Sequence, residues 1–398
     1  NPQTSFPSVQ IAGTNGKGST AVMLEAMLRA AEIKVGLYTS PHLLSITERI
    51  RINHQEISRE DFARLTAKVR RVAEQLLTQG TLSTLPTFFE HVTAIALIAF
   101  AEAQIQLAIL ETGLGGRLDA TTTALAETIG ITPIALDHQE YLGITLTEIA
   151  AEKAAIIRPG VTAVVAPQER EAMKVILERC VDCGVTPRLS ECQVEVASAI
   201  DAGRLRATFE TREDRYEQVL LGLRGRHQLT NASVAIALAE ALRERGFSIP
   251  RSAIIAGLES ARHAGRLELR QVGAHLILFD GAHNAAGARA LRDFLDEFIQ
   301  APITLLFGAM RDKDLTEIAA TLFPIAEHLI LAGVDNPRSA TPETLLRLVP
   351  HGLDSSRITL APSMSEALSA ARAQTAPAGI ICVTGSLYLI GEAQSLIG

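Results

Sequence analysis

A strand-like run, Val9 to Ala12, leads into Gly13-Thr14-Asn15-Gly16-Lys17-Gly18-Ser19-Thr20, and apolar residues then recur at helical spacing up to Ala31. Strand, glycine-rich turn and helix in that order form the setting of a phosphate loop. Gly13, Gly16 and Gly18 let backbone N–H groups crowd round a phosphate, and the following helix points its positive end at the same place. Lys17 adds a charge for β- and γ-phosphates, and the hydroxyl of Ser19 or Thr20 is a hard ligand for Mg²⁺. The spacing departs from the general GxxxxGK[ST] form, since two residues separate Gly13 from Gly16 and Gly18 stands between Lys17 and Ser19. ATP phosphates are expected here, in a cradle unlike that of ordinary nucleotide triphosphatases.

Three more residues stand where such a loop could use them. Glu111 closes the apolar run from Leu107, Asp137 and His138 follow the run from Thr128, and Lys153 lies in a helical stretch with Glu148 and Glu152. In open α/β sheets ligands lie beyond the carboxyl ends of strands, so Glu111 and His138 are expected to converge on the phosphate loop. Judged by its neighbours in sequence alone, Lys153 is a solvated lysine on a charged helix.

The elements that must position these residues alternate. Short apolar runs at 9–13, 35–40, 107–113, 128–134 and 162–167 read as buried strands, and helical periods at Ser19–Ala31, Arg59–Leu77, Glu90–Ala103 and Leu146–Ile157 lie between them. That alternation implies a parallel sheet covered on both faces. From Gln193 to Leu221 the pattern changes to two-residue alternation about an Asp201-Ala202-Gly203 turn, an antiparallel hairpin or small meander, before a helix at Asn231–Arg245. A second series of strand-like runs starts at 275–284 and continues at 303–310, 328–334, 357–361 and 379–386. The expected fold is therefore α/β: an N-terminal P-loop ATPase-like domain with a parallel sheet and a small antiparallel subdomain, then a C-terminal Rossmann-like α/β domain. The boundary is expected near Arg266, giving domains 1–264 and 265–398.

Composition limits the partners. With 398 residues, 47% hydrophobic and 20% charged, the chain can bury the cores of two domains. A net charge of -7 argues against nucleic acid as the main partner, because neutralising phosphates takes a basic face. Four cysteines are too few for a disulfide scaffold, which suits a reducing cytoplasm, and no apolar run approaches the roughly 20 residues that span a bilayer. The first residue is Asn1 rather than Met, so the natural start is expected to have been removed or left out.

The variant loop GTNGKGST resembles that of the Mur ligase superfamily, and in particular of the folylpolyglutamate synthase and dihydrofolate synthase family. The resemblance continues in order through YTSPHL (38–43), ERI (48–50), TFFE (87–90), ETGLGGRLDAT (111–121), LDHQEYLG (136–143), EKAAIIRPG (152–160), HQLTNA (227–232), GRLE (265–268), FDGAHN (279–284), GAMRDKD (308–314) and TGSLYLIGE (384–392). It implies ATP-dependent addition of L-glutamate to a pteroate or folate carboxylate through an acyl phosphate, by one enzyme with both activities, acting as a cytoplasmic monomer on small molecules. It implies two Mg²⁺ ions, one on Ser19 and Glu111 and a second on His138, with Lys153 carbamylated to help place the second; K⁺ is a further candidate ion. Lys17, Lys153, His138 and Arg266 take the catalytic roles. The adenine is implied near Asn231 and His283, the ribose near Asp280, and the phosphates on Gly13 to Thr20 with Arg266. For the pterin-bearing substrate the resemblance points to Thr87, Phe89, Asp119 and Ala120, under a loop containing Ser40, Pro41 and His42.

Some positions depart from common family forms: Pro133 before the Asp-His pair, Ala155 after EKA, Ala264 before GR, and Thr122 after LDAT. None removes a proposed catalytic side chain. Cys180, Cys183 and Cys192 lack a fourth ligand at metal spacing and read as ordinary thiols, and Lys68 to Arg71 as a solvated helix face. Two other activities fit a phosphate loop: a Mur-type peptide ligase of cell-wall precursors, against which ETGLGGRLDAT and TFFE weigh, and a switch protein that hydrolyses ATP only to change shape.

Overall fold

In the computed structural model, which describes residues 1–397, the chain forms three sheets. The first contains β1 (Ser8–Ala12), β2 (Val35–Tyr38), β3 (Ile50–Ile52), β4 (Gln55–Glu56), β5 (Leu107–Glu111), β6 (Thr128–Ile131), β7 (Thr162–Val165) and β8 (Arg188–Leu189). Their spatial order is β4-β3-β2-β5-β1-β6-β7-β8, with only the β2-β3 and β3-β4 pairs antiparallel. Every residue of β1, β2, β5 and β6 is buried, as expected for strands with helices on both faces. One face is covered by Lys17–Ala30, which packs on His227–Glu244 and Arg251–Ser260.

The meander comprises β9 (Gln193–Ile200), β10 (Arg204–Glu210) and β11 (Arg215–Arg224), all antiparallel. Its first turn is Asp201-Ala202-Gly203, whose φ values of 45°, 47° and 86° are left-handed. The third sheet holds β12 (Glu268–Val272), β13 (His275–Asp280), β14 (Ile303–Phe307), β15 (His328–Ala332), β16 (Ile358–Ala361) and β17 (Ile380–Thr384), ordered β12-β13-β17-β14-β15-β16. It is parallel except for β12 on β13. The α/β architecture, with parallel sheets and a separate C-terminal α/β unit, is the one expected.

Local boundaries moved for identifiable reasons. The helix expected from Asn231 begins at His227, so Thr230 lies inside it rather than capping it. The helix expected from Glu90 begins at Phe88, because Thr87 accepts the Glu90 N–H while the Glu90 carboxylate takes the Thr87 N–H, a reciprocal cap. Residues 261–269, which keep no period in sequence, nonetheless lead into β12, whose side chains are mostly only partly buried. Periodicity cannot mark an edge strand of that kind.

Candidate active site

β1 runs between β5 and β6. The loop that leaves β1 at its carboxyl end is therefore flanked by the ends of β5, where Glu111 sits, and of β6, which leads to His138. Gly16 caps Lys17–Ala30 with φ 87°, and a Cβ there would lie 2.1 Å from Asn231 Oδ1 of the helix His227–Glu244, so the left-handed turn and the close approach both call for glycine. Lys17 folds back over the loop, its Nζ donating to the carbonyls of Gly13 and Thr14 at 3.1 Å each. Burial lowers its pKa, against the pull of Glu111.

From the third sheet, the adjacent ends of β13 and β17 face this loop. A cleft of about 350 Å³ is lined from one side by Gly13 to Ser19, Glu111 and Lys153, and from the other by Arg266, Asp280 and His283. The Asp280 carboxylate accepts the N–H groups of Leu267 and Ala282 at 2.9 and 3.0 Å, and Arg266 Nη1 donates to the Gly281 carbonyl at 3.3 Å. The two sides also bond directly. Asn284 Nδ2 donates to Asn15 Oδ1 and to Asp137 Oδ2, both at 3.0 Å, and Lys313 Nζ lies 2.6 Å from Asp137 Oδ1 and 3.4 Å from His138 Nε2. Burial alone would raise the Asp137 pKa, but His283 at 3.5 Å and the Lys313 ammonium hold it well below the usual carboxylate range.

Hard-metal chemistry fits one position. Glu111 is 5% exposed, has no ion-pair partner within 4.0 Å among the described residues, and accepts the Ser40 N–H at 3.1 Å; burial raises its pKa, so a nearby cation would favour its charged form. Ser19 is also 5% exposed and lines the same cleft. Oxygen donors of this kind suit Mg²⁺. Among the described residues no group of three or more acidic, histidine or cysteine side chains is arranged to hold a metal by itself, so an ion here would need phosphate oxygens to complete its shell. His138 stands in the αL region at φ 52°, and burial takes its pKa down to about 4, leaving a neutral imidazole. Lys153 is 5% exposed rather than solvated. Its Nζ donates to the Gly13 carbonyl at 2.9 Å, and burial, followed by the charge of Lys17, lowers its pKa to about 7.

A larger cleft of about 770 Å³ adjoins the first and shares Ser40, Pro41, Gly113, His138 and His283 with it. Thr87, Phe89, Asp119 and Ala120 line it, as does Arg49. The Phe89 ring packs against Tyr38, centroids 5.8 Å apart and planes tilted by 49°. Asp119 is fully engaged within its own loop: its carboxylate accepts the N–H groups of Gly113, Leu114 and Thr121 and the Thr121 hydroxyl. His42 turns away to accept a hydrogen bond from Arg49 Nε at 2.9 Å and lines neither cleft, and the Thr20 hydroxyl points to the Asn231 carbonyl at 3.5 Å.

Several site residues were not singled out in the sequence. His263 lies 3.3 Å from Ser19 Oγ, its pKa lowered to about 3 by burial and by Arg266. It sits in an unpatterned stretch, with no signal to find it. Gln228, Asn284 and Lys313 lie within the motifs HQLTNA, FDGAHN and GAMRDKD; the Gln228 contact with Ser19 forms when the helix His227–Glu244 packs on Lys17–Ala30, and those of Asn284 and Lys313 form only when the third sheet meets the first.

Comparisons with known proteins show the family and the fold. Residues 11–239 match the family described as Mur ligase middle domain, and residues 265–387 the family described as Mur ligase, glutamate ligase domain. The chain is 35% identical over 399 residues to a probable bifunctional folylpolyglutamate synthase/dihydropteroate synthase of Haloferax volcanii, covering 99% of this chain but 46% of that one, so it spans about half that relative's length. It is 34% identical to the dihydrofolate synthase/folylpolyglutamate synthase of Bacillus subtilis, over 98% of this chain and 90% of the relative. A solved structure of Mycobacterium tuberculosis folylpolyglutamate synthase complexed with ADP superposes with a TM-score of 0.93 at 32% identity, covering 100% of this chain and 91% of that one.

Proposed function

Since the chain belongs to the folylpolyglutamate synthase/dihydrofolate synthase family of Mur ligases, we propose that it joins L-glutamate to the carboxylate of dihydropteroate, of folates, or of both, converting ATP to ADP and phosphate. The observation that carries this reading is the shared wall between the two clefts. A phosphate cradle opens directly into a larger recess with an aromatic side, so an acceptor carboxylate can meet the γ-phosphate without leaving the protein.

The chemistry follows from that placement. An acceptor carboxylate oxygen attacks the γ-phosphorus, the bond to the bridging oxygen breaks, and ADP leaves with the electron pair. The glutamate amine then attacks the acyl carbon, the carbon–oxygen bond to phosphate breaks, and the amine proton passes to the departing phosphate or to solvent. Lys17 and Arg266 stabilise charge on the phosphoryl oxygens from opposite walls. Asn231 and His283 take the adenine side, Asp280 the ribose, and Thr87, Phe89 and Ala120 the pterin-bearing acceptor. Glu111 and Ser19 would hold one Mg²⁺, and His138 with a carbamate on Lys153 a second, which when bound supply positive charge to the phosphates. In this reading residues 1–264 hold ATP and the acceptor, residues 265–398 bring glutamate and complete the nucleotide site, and the enzyme works as a cytoplasmic monomer. The switch alternative gains nothing from a second cleft of this size.

ADP formation measured with dihydropteroate and with tetrahydrofolate, each with and without L-glutamate, tests the reading. Glutamate-dependent ADP release with at least one acceptor is expected. A rate indifferent to both acceptor and glutamate rejects the ligase.

A further inference from the structure

We propose that Gln10 is a positioning residue that sets the loop of residues 113–122 against the phosphate site, and so governs acceptor binding; this rests on the ligase reading above. Gln10 is 0% exposed in β1, the strand between β5 and β6. A primary amide there is disfavoured unless it is hydrogen-bonded, and an apolar side chain of similar volume would fill the space without that penalty. Its Nε2 has two protons and both have takers: Thr121 Oγ1 at 2.9 Å and Thr122 Oγ1 at 3.0 Å. Its Oε1 has no hydrogen-bond partner among the described residues. The side chain is therefore placed for what it donates.

Both hydroxyls pass the constraint on. Thr121 Oγ1 donates to Asp119 Oδ1 at 2.5 Å, and the other oxygen of that carboxylate takes the N–H groups of Gly113 and Leu114 at 2.9 and 3.1 Å. Thr122 Oγ1 donates to the Gly116 carbonyl at 2.9 Å. Each hydroxyl accepts from Gln10 on one lone pair and donates its proton to the loop body. One buried amide thus ties both the turn at 113–116 and the return at 119–122 to the strand that ends in the phosphate cradle. Gly113 and Leu114 line both clefts, while Asp119 and Ala120 line the larger one. The position of Gln10 should accordingly register in the acceptor and hardly in ATP.

The test compares wild type with Gln10→Met, which keeps length and loses both donors, and with Thr122→Val, which removes one acceptor. For Gln10→Met the KM of the acceptor is expected to rise about five- to twenty-fold, with the KM of ATP changed less than about twofold and Tm unchanged or raised. Amide hydrogen exchange should quicken in residues 112–122 and nowhere else. Thr122→Val should show a smaller part of the same pattern, and the double variant little more than Gln10→Met alone. An unchanged acceptor KM with unchanged exchange in these segments overturns the proposal, as does a parallel rise in both KM values with a fall in Tm, which marks general loss of structure. Should Gln10→Met not fold, Thr122→Val decides by the same readings. If wild type shows no glutamate-dependent ADP release, the ligase reading falls, and the exchange measurement alone judges the tie between Gln10 and the loop.

Discussion

Lys153 reaches the Gly13 carbonyl with an amine that burial has brought to a pKa of about 7, so near neutral pH a large share of it is uncharged. Only a neutral amine reacts with carbon dioxide, and the resulting carbamate would turn a cation at the phosphate loop into an anion. Lys153→Ala should lose most of its activity and regain some in added acetate or propionate; full activity in the plain variant would remove the lysine from the mechanism. Activation of wild type by bicarbonate should grow as pH rises through about 7, since deprotonation favours the reactive form. The unmodified lysine also has a stability signature. Its native value lies below the ordinary 10.5, so between about 7 and 10.5 the unfolded chain binds more protons and stability rises with pH. Lys153→Met should flatten part of that rise in urea unfolding across the window, Lys17 supplying a share of what is left because its pKa is lowered too.

Elements carry the residues by their ends. The reciprocal cap between Thr87 and Glu90 starts the helix Phe88–Glu102 and so sets where Phe89 enters the larger cleft. Thr87→Ala should lower stability by about 1 kcal/mol in chemical unfolding, with acceptor binding weakened alongside. Gly16→Ala is a sharper test: it combines a left-handed φ with a Cβ 2.1 Å from Asn231 Oδ1, so ADP affinity by calorimetry should fall by about 100-fold or more while the sheet stays folded. Sequence made the strand ends readable because buried parallel strands are short apolar runs with a hard stop; Glu111 is the last residue of β5, and Asp137 lies in the loop that leaves β6. It could not show that Lys153 is buried, since the glutamates beside it suggest a wet helix. Nor could it distinguish Asp119 as a loop organiser, because its four donors are local backbone and a neighbouring threonine. His263 and Lys313 depend on contacts between distant segments, which no local period records.

At the scale of the molecule, the site exists where two sheets present their carboxyl ends to each other. The bonds from Asn284 to Asn15 and Asp137, and the Lys313–Asp137 pair, hold that meeting from within the cleft. Farther out, the helix Leu387–Ile397 presses Gly391 against the Leu43 backbone, where an added Cβ would stand 2.1 Å from the Leu43 carbonyl oxygen. Leu43 belongs to the loop whose Ser40 N–H holds Glu111. Gly391→Ala should therefore act as a wedge, reducing kcat by about 100-fold through misplacement while each sheet keeps its own core, as circular dichroism and a small change in Tm would show. The contact also has a meaning in time. A ribosome delivers the phosphate loop and Glu111 early, but the seat for residue 43 comes only with residue 391. An unfinished chain would thus have its phosphate cradle, and the Ser40 and His42 bonds that start the loop beside it, before Leu43 had its seat, which separates folding of the first sheet from assembly of the site.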